Sequence, residues 1–303
     1  MSHVSWYIAR WRQSFKFNNF FKEFFAFACI LWTIIDAVYY IAAQSRDVIL
    51  ANWWLFVISG LVWAIIRCRP KDCFSYKLKG RDAVVEIRVS DITKIQGALV
   101  IPVNTTFDTD INGRIMNAQS VQGSFTRKFF KSNIAELDRI IEEQLEKEAV
   151  PLENFGTEKP GKDKVYPNGT VVTITRDTRV FYLLASSRIN RNGRATGEQH
   201  DLRIALEKLW IYIRESGDKS TIAIPVIGTG NARLPISRDD VVRMIIKSYV
   251  NSCGSKTYCE KLIIVIHPQD VEKYKINLND LDAFLKYSCD YVDFENRQII
   301  GEN

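Results

Sequence analysis

The sequence predicts a three-layer α/β/α domain on a mixed β-sheet, preceded by a two-helix transmembrane hairpin. Three observations carry that expectation. Two long apolar segments lie close together in the first seventy residues. From Arg81 onward, short β-rich runs alternate with amphipathic helical patterns. Three loops rich in Asn, Gln, Ser, Thr and Gly lie after strand-like runs or before a helix, where sheets of this class bind ligands.

The first apolar segment, Phe24 to Ala43, reads FFAFACILWTIIDAVYYIAA, with Asp36 its one charge. The second, Val48 to Ile66, reads VILANWWLFVISGLVWAII and has none. At 1.5 Å rise per residue, each reaches across a hydrocarbon core of roughly 30 Å. The connector Gln44-Ser45-Arg46-Asp47 is so short that the two must form an antiparallel hairpin. Tyr39, Tyr40, Trp53 and Trp54 cluster near that turn, as an interfacial aromatic belt does. Arg10, Arg12, Lys16 and Lys22 precede the first segment, and Arg67, Arg69, Lys71, Lys77, Lys79 and Arg81 follow the second. This places both termini in the cytoplasm and the protein in the cell inner membrane, with the lipid bilayer as a partner. A cleaved signal peptide is shorter and is not followed at once by a second apolar run. Two buried core helices would need a large partner surface. Asp36 costs about 2.5–3.5 kcal/mol at the centre of a lone spanning helix. It is therefore protonated and bonded to the neighbouring helix, or it meets other copies in a homo-oligomer. Asn52, Ser59 and Gly60 suit close helix contacts.

The net charge is +6, from 41 Lys+Arg against 35 Asp+Glu. The excess lies mostly beside the apolar segments, so no nucleic-acid partner is expected. Six cysteines (Cys29, Cys68, Cys73, Cys253, Cys259 and Cys289) and three histidines (His3, His200 and His267) form no cluster at metal-ligand spacing. No metal and no cofactor are expected, and the thiols read as reduced and structural.

The divisions expected are a basic segment at 1–23, the hairpin at 24–66, a basic linker at 67–80 containing Pro70, and a ligand-binding domain at 81–303. Within that domain Ala83–Val89 and Ala98–Val103 read as strands. A helix holds Phe125, Phe129 and Phe130. Asn133 and Glu136 have capping-box spacing, followed by an apolar face of Ile134, Leu137, Ile140, Ile141 and Leu145. Pro151 to Lys164 reads as a polar loop. Val171–Ile174 and Val180–Leu184 are strands. Leu202, Ala205, Leu206, Leu209 and Ile213 mark a helix stopped by Gly217. Thr221–Ile227 is a buried strand. Ser237 and Asp240 cap a helix ending near Gly254. Leu262–Ile266 is the last central strand. Asn279 caps a terminal helix with Leu281, Phe284 and Leu285.

The distinctive loops are Pro102-Val103-Asn104-Thr105-Thr106-Phe107-Asp108, then Asn117-Ala118-Gln119-Ser120-Val121-Gln122-Gly123-Ser124, then Gly228-Thr229-Gly230-Asn231-Ala232-Arg233-Leu234-Pro235. Glycines let a backbone approach a ligand closely, and free amides can cradle a diphosphate.

Val89-Ser90-Asp91-Ile92-Thr93-Lys94-Ile95 is similar to the segment that opens macrodomains. Val100-Ile101-Pro102-Val103-Asn104 looks like the strand end that follows it. Ser120-Val121-Gln122-Gly123 sits where that family has its first phosphate loop, and Gly228 to Pro235 resembles the second. The resemblance runs collinearly over roughly residues 83–290 and implies a macrodomain that binds ADP-ribose or a derivative. It implies that Asp91 accepts from the adenine amino group, helped by the Ile92 amide. Ser120, Val121, Gln122, Gly123 and Ser124 would hold one side of the diphosphate, and Gly228, Thr229, Gly230, Asn231, Ala232 and Arg233 the other. Asn104 and Thr105 would lie near the distal ribose, and His267 could flank the adenine. From the residues alone, Asp91 can equally be a turn cap, Asn104 a turn former and His267 a surface-loop residue. Phe107 stands where hydrolytic macrodomains carry a second Asn, so binding without catalysis is expected. The alternative is a membrane-tethered ADP-ribosyl hydrolase using Asn104 and Asp108, against Asp108 as a solvated loop residue. A third reading is a passive membrane scaffold.

The hairpin followed by such a domain resembles the membrane–macrodomain effectors of bacterial Thoeris anti-phage defence. That resemblance implies a functional partner, a TIR-domain enzyme that makes an ADP-ribose–amino-acid conjugate such as histidine–ADP-ribose. It further implies that binding this signal drives oligomerisation, membrane disruption and abortive infection.

Overall fold

The computed structural model describes residues 11, 15, 17–41, 51–110, 117, 119–131, 133–148, 150–154, 161–190, 195–217, 220–228, 234–254 and 257–291. The chain divides into two compact units, Met1–Asp72 and Cys73–Asn303.

The first unit holds α1 (Phe17–Ile41) and α2 (Trp53–Arg67). They pair antiparallel. Phe27 stacks on Trp63 with ring centroids 5.1 Å apart, and Arg67 Nε lies 3.3 Å from Glu23 Oε2. Gly60 is the close contact the sequence suggested, since a Cβ there would lie 2.8 Å from the Phe24 ring. Ser59 instead donates to the Phe56 carbonyl of its own helix, at 2.9 Å. The apolar pattern places the start of α1 at Phe24, but the helix begins at Phe17 and so takes in Lys22 and Glu23. Among the described residues no helix is long and apolar enough to cross a membrane. The expected transmembrane hairpin is thus a helix pair in this structure, with α2 described over only 15 residues, about 22 Å. The connector Gln44–Asp47 and the start of the second apolar segment, Val48 to Leu50, lie outside the described residues. Asp36 is exposed and is not sheltered against α2.

The second unit is built on one mixed sheet in the order β1-β2-β10-β9-β3-β7-β6. The strands are β1 (Cys73–Lys77), β2 (Val84–Val89), β3 (Ala98–Asn104), β6 (Val171–Arg176), β7 (Arg179–Ile189), β9 (Thr221–Pro225) and β10 (Lys261–Ile266). β2, β10, β9, β3 and β7 run parallel, while β1 and β6 close the two edges antiparallel. Parallel neighbours need crossovers, and these put helices on both faces. Strand alternation sorts the side chains accordingly. Val100, Leu184, Ile224 and Ile264 pack with α5 (Gln199–Ser216), α6 (Arg238–Ser252) and α8 (Leu278–Asp290). Leu99, Ile101, Leu183 and Val265 pack with α3 (Val121–Phe129) and α4 (Ile134–Glu148). The buried cysteines belong to the first of these cores. Burial pushes their thiols up, Cys253 to about 11 and Cys259 and Cys289 to about 12, far from the thiolate a nucleophile needs.

Several elements differ from the sequence reading. Residues 73–77, expected within a linker, form an edge strand; only Phe74 of β1 is buried, so the period-two signal is faint. The loop at 151–164 contains the short pair β4 (Glu153–Asn154) and β5 (Lys164–Val165). β8 (Ala195–Thr196) is a two-residue addition to β7. The terminal helix is capped by Asn277 rather than Asn279, through the Asp280 amide. Asn133 does cap α4, accepting from the Glu136 amide at 3.1 Å. The Glu136 carboxylate turns to Arg176 instead of back to the cap.

One charge sits inside the sheet. Glu86 on β2 is 2% exposed, between Arg88 Nη2 at 2.5 Å and Lys261 Nζ at 2.6 Å. Burial works against its charge, but hydrogen bonds from Lys261 and Arg88 outweigh burial and hold the carboxyl below its usual range. A folded-state pKa below the unfolded one adds stability above about pH 4.3, lost as pH falls through the folded value. Glu86→Gln should therefore unfold about 1–2 kcal/mol more easily at neutral pH: the charge-assisted bonds are lost, and the cost stays modest because Arg88 and Lys261, partly exposed, regain water. In urea titrations the gap from wild type should close toward about pH 3. A gap that persists or widens in acid would show that the pair does not carry this stability.

Candidate ligand-binding cleft

The five parallel strands all end at one edge of the sheet, and a cleft of about 420 Å³ opens there. Its lining follows the strand order. Ser90, Asp91 and Ile92 come from the end of β2, and His267 from that of β10. Pro225 ends β9 and Val226 and Gly228 follow it, Asn104 ends β3, and Ser186 and Ser187 lie on β7. The first turn of α3 adds Ser120, Val121, Gln122 and Ser124.

Helix N-termini converge on this cleft, because each crossover helix starts where a parallel strand stops. Asp91 Oδ1 accepts from the Thr93 amide at 2.9 Å and caps the 3-10 turn Ile92–Lys94. Ser120 Oγ accepts from the Gly123 amide at 3.0 Å and caps α3. His267 Nδ1 accepts from the Gln269 amide at 3.3 Å and caps α7 (Pro268–Lys273). His267 is thus an exposed helix cap that also lines the cleft. In α3 the cap takes the Gly123 amide, and Ser124 donates to the Ser120 carbonyl. The amides of Val121 and Gln122 are left without an acceptor inside the helix, facing the positive end of its dipole. Lys128 ties α3 to the 3-10 turn, donating to the Thr93 carbonyl at 2.7 Å.

The expected site residues separate into three groups. Asp91, Ile92, Asn104, Ser120, Val121, Gln122, Ser124 and Gly228 line the cleft. Thr105 and Gly123 do not. Thr105 joins β3 to β7 with its amide on the Ser187 carbonyl at 2.9 Å, and the Gly123 amide is taken by Ser120. Thr229, Gly230, Asn231, Ala232 and Arg233 lie outside the described residues. Asp108 is no solvated loop residue: it is 2% exposed and does not line the cleft. Its carboxylate accepts from Thr106 Oγ1 at 2.5 Å, Asn104 Nδ2 at 3.0 Å and the Lys162 amide at 2.7 Å. Phe107 is fully buried, packs edge-on to Tyr166, and holds a left-handed backbone with φ of 51°.

Sequence reasoning missed one wall. Arg238 opens α6 with its side chain 10% exposed, its Nε 3.4 Å from Asp270 Oδ2 and its guanidinium carbon 3.2 Å from the Tyr274 ring centroid. A hydrogen bond from Lys273 first, and then the Arg238 charge, pull the Tyr274 phenol below its usual range. Arg238, Asp270 and Lys273 line the β2/β10 end of the cleft. The Ser237 cap announced the helix, but nothing local announced where its first side chain points. Among the described residues no cluster of three or more His, Cys, Asp or Glu could hold a metal ion.

Gly228 shapes the floor. Its φ is +75°, and a Cβ would fall 1.7 Å from Leu234 Cδ1, while its carbonyl accepts from the Leu234 amide at 3.1 Å. Gly228→Ala should cost about 1–3 kcal/mol in chemical denaturation, through left-handed strain and displacement of Leu234. An unchanged denaturation midpoint would show that this turn is free to relax.

Residues 85–267 match the family model described as Thoeris protein ThsA, Macro domain. "Thoeris protein ThsA" of Bacillus amyloliquefaciens (strain Y2) is 24% identical over 210 residues, covering 67% of this chain and 68% of that protein. The Oceanobacillus iheyensis macrodomain with ADP superposes with a TM-score of 0.48 at 16% identity, over 70% of this chain and 98% of that one. The Trypanosoma brucei macrodomain in complex with ADP-ribose gives 0.42 at 12% identity, over 63% of this chain and 66% of that one.

Proposed function

Since the chain belongs to the Thoeris ThsA macro domain family, we propose that its cleft binds an ADP-ribose derivative and that the protein acts as a signal-responsive effector in Thoeris anti-phage defence. The observation that carries this reading is the cleft across five parallel strand ends. With strands about 4.8 Å apart, those ends span roughly 19 Å, enough for a base, a diphosphate and a second sugar in line. The base lies at the β2/β10 end beside Asp91, and the diphosphate between Gly228 and the α3 amides. The distal ribose lies at the β3/β7 end near Asn104 and Ser187.

The protein binds rather than hydrolyses in this reading. Asn104 and Asp108, the residues a hydrolase would need, are hydrogen-bonded to each other at 3.0 Å, and Phe107 is part of the core. The signal is an ADP-ribose–amino-acid conjugate, histidine–ADP-ribose foremost, supplied by a TIR-domain enzyme.

The helix pair is the output. Phe25, Ile30, Trp32, Ile34, Leu55, Ile58, Val62 and Ile65 are exposed on it, a surface unfavourable in water and suited to lipid or to other copies. The apolar run of the second helix reaches back in sequence to Val48. Ligand binding drives association of these pairs in the cell inner membrane, with both termini cytoplasmic, and the membrane is disrupted.

Full-length protein in detergent should be stabilised by about 2.7 kcal/mol at a hundredfold excess of ligand over Kd. Melting curves with ADP-ribose and its histidine conjugate test this; no shift with either would sink the binding proposal. Asp91→Asn keeps the cap but replaces a carboxylate acceptor by an amide. It should weaken binding at least tenfold, about 1.4 kcal/mol, with little change in melting temperature. Equal affinity would confine Asp91 to its capping role.

A further inference from the structure

Resting on the reading of the cleft as an ADP-ribose site, we infer that Asp108 is a positioning residue that fixes the end of β3 and the first turn of α3 relative to each other. Asp108 does not line the cleft, yet its polar atoms reach two residues that do. Its amide donates to Asn104 Oδ1 at 3.1 Å, and its carboxylate accepts from Asn104 Nδ2. Its carbonyl accepts from Gln122 Nε2 at 2.5 Å. The other carboxylate oxygen takes the Lys162 amide at 2.7 Å.

The consequence for the two cleft residues is specific. The Asn104 side-chain oxygen also accepts from the amide and hydroxyl of Thr106, at 3.3 and 3.2 Å. Its oxygen and one of its two amide hydrogens are thus committed to the loop. The Gln122 side chain is committed to Asp108, so the residue serves the ligand through its backbone amide, aimed by that anchor. The arrangement is itself braced against α4, where Asp138 accepts from Thr109 Oγ1 at 2.6 Å and pairs with Lys162 Nζ at 2.6 Å. A buried carboxylate that accepts from three donors tolerates little displacement. Asp108 therefore sets the spacing between the sugar end and the diphosphate end of the cleft.

The test is a double-mutant cycle on the full-length protein, read by calorimetry with ADP-ribose and with adenosine. Asp108→Ala and Gln122→Ala should each weaken ADP-ribose at least tenfold. The double variant should be no worse than Asp108→Ala within about twofold, because the Asp108 carboxylate holds in place the backbone carbonyl that Gln122 grips. Adenosine, which lacks the phosphates and sits at the β2/β10 end, should bind all variants within about threefold of wild type, because sites that share no partner couple weakly. Losses that multiply in the double variant, equal losses for both ligands, or wild-type affinity throughout would overturn the inference. If Asp108→Ala does not fold, Thr106→Val, which removes one bond to the same carboxylate, takes its place in the cycle with the same criteria. Failure of the wild type itself to bind ADP-ribose would withdraw the cleft reading, and this inference with it.

Discussion

Parallel pairing of β2, β10, β9, β3 and β7 is the constraint on which the rest of the second unit depends. Strands that run the same way cannot be joined by a tight turn. Each must be reached by a crossover, and the crossovers cover both faces of the sheet. Both faces of these strands are consequently apolar, as the fully buried Leu99, Val100 and Ile101 show on one strand. The same constraint gathers every carboxyl end at one edge. The cleft is the geometric result of that gathering, before any particular side chain is considered.

The chemistry of the cleft follows from what must happen at such an edge. Helices that start there present unpaired amides, and something must cap them. Asp91, Ser120 and His267 do so, and each then stands in the wall of the cleft. Capping and a place in the cleft wall are therefore not rival roles at this edge. The left-handed turn at Gly228 belongs to the same logic, since the chain must reverse sharply after β9 to reach α6.

The helix pair of the first unit obeys different rules. Its packing face is small: of α2, only Gly60 and Ala64 are buried. Phe17, Phe21 and Phe25 stack along the outside of α1, together with exposed tryptophans on both helices. The pair turns aromatic and aliphatic side chains outward, with Asp36 exposed among them.

Local pattern was sufficient wherever one face of an element is buried. The runs Ala98–Val103, Thr221–Ile227 and Leu262–Ile266, the face of Leu202, Leu206, Leu209 and Ile213, and the caps at Asn133 and Ser237 were all legible, because periodicity and capping are properties of a few consecutive residues. The edge strand at 73–77 was not, because an edge buries too little to imprint a period. Nor was the burial of Asp108, whose donors come from Asn104, Thr106 and Lys162, a residue 54 positions away along the chain. The wall of Arg238, Asp270 and Lys273 was equally hidden. Local pattern thus reveals the buried strands, the amphipathic helices and the loops that carry polar groups. Which of those groups meet depends on strand order and crossover packing, which bring together residues that no local spacing relates.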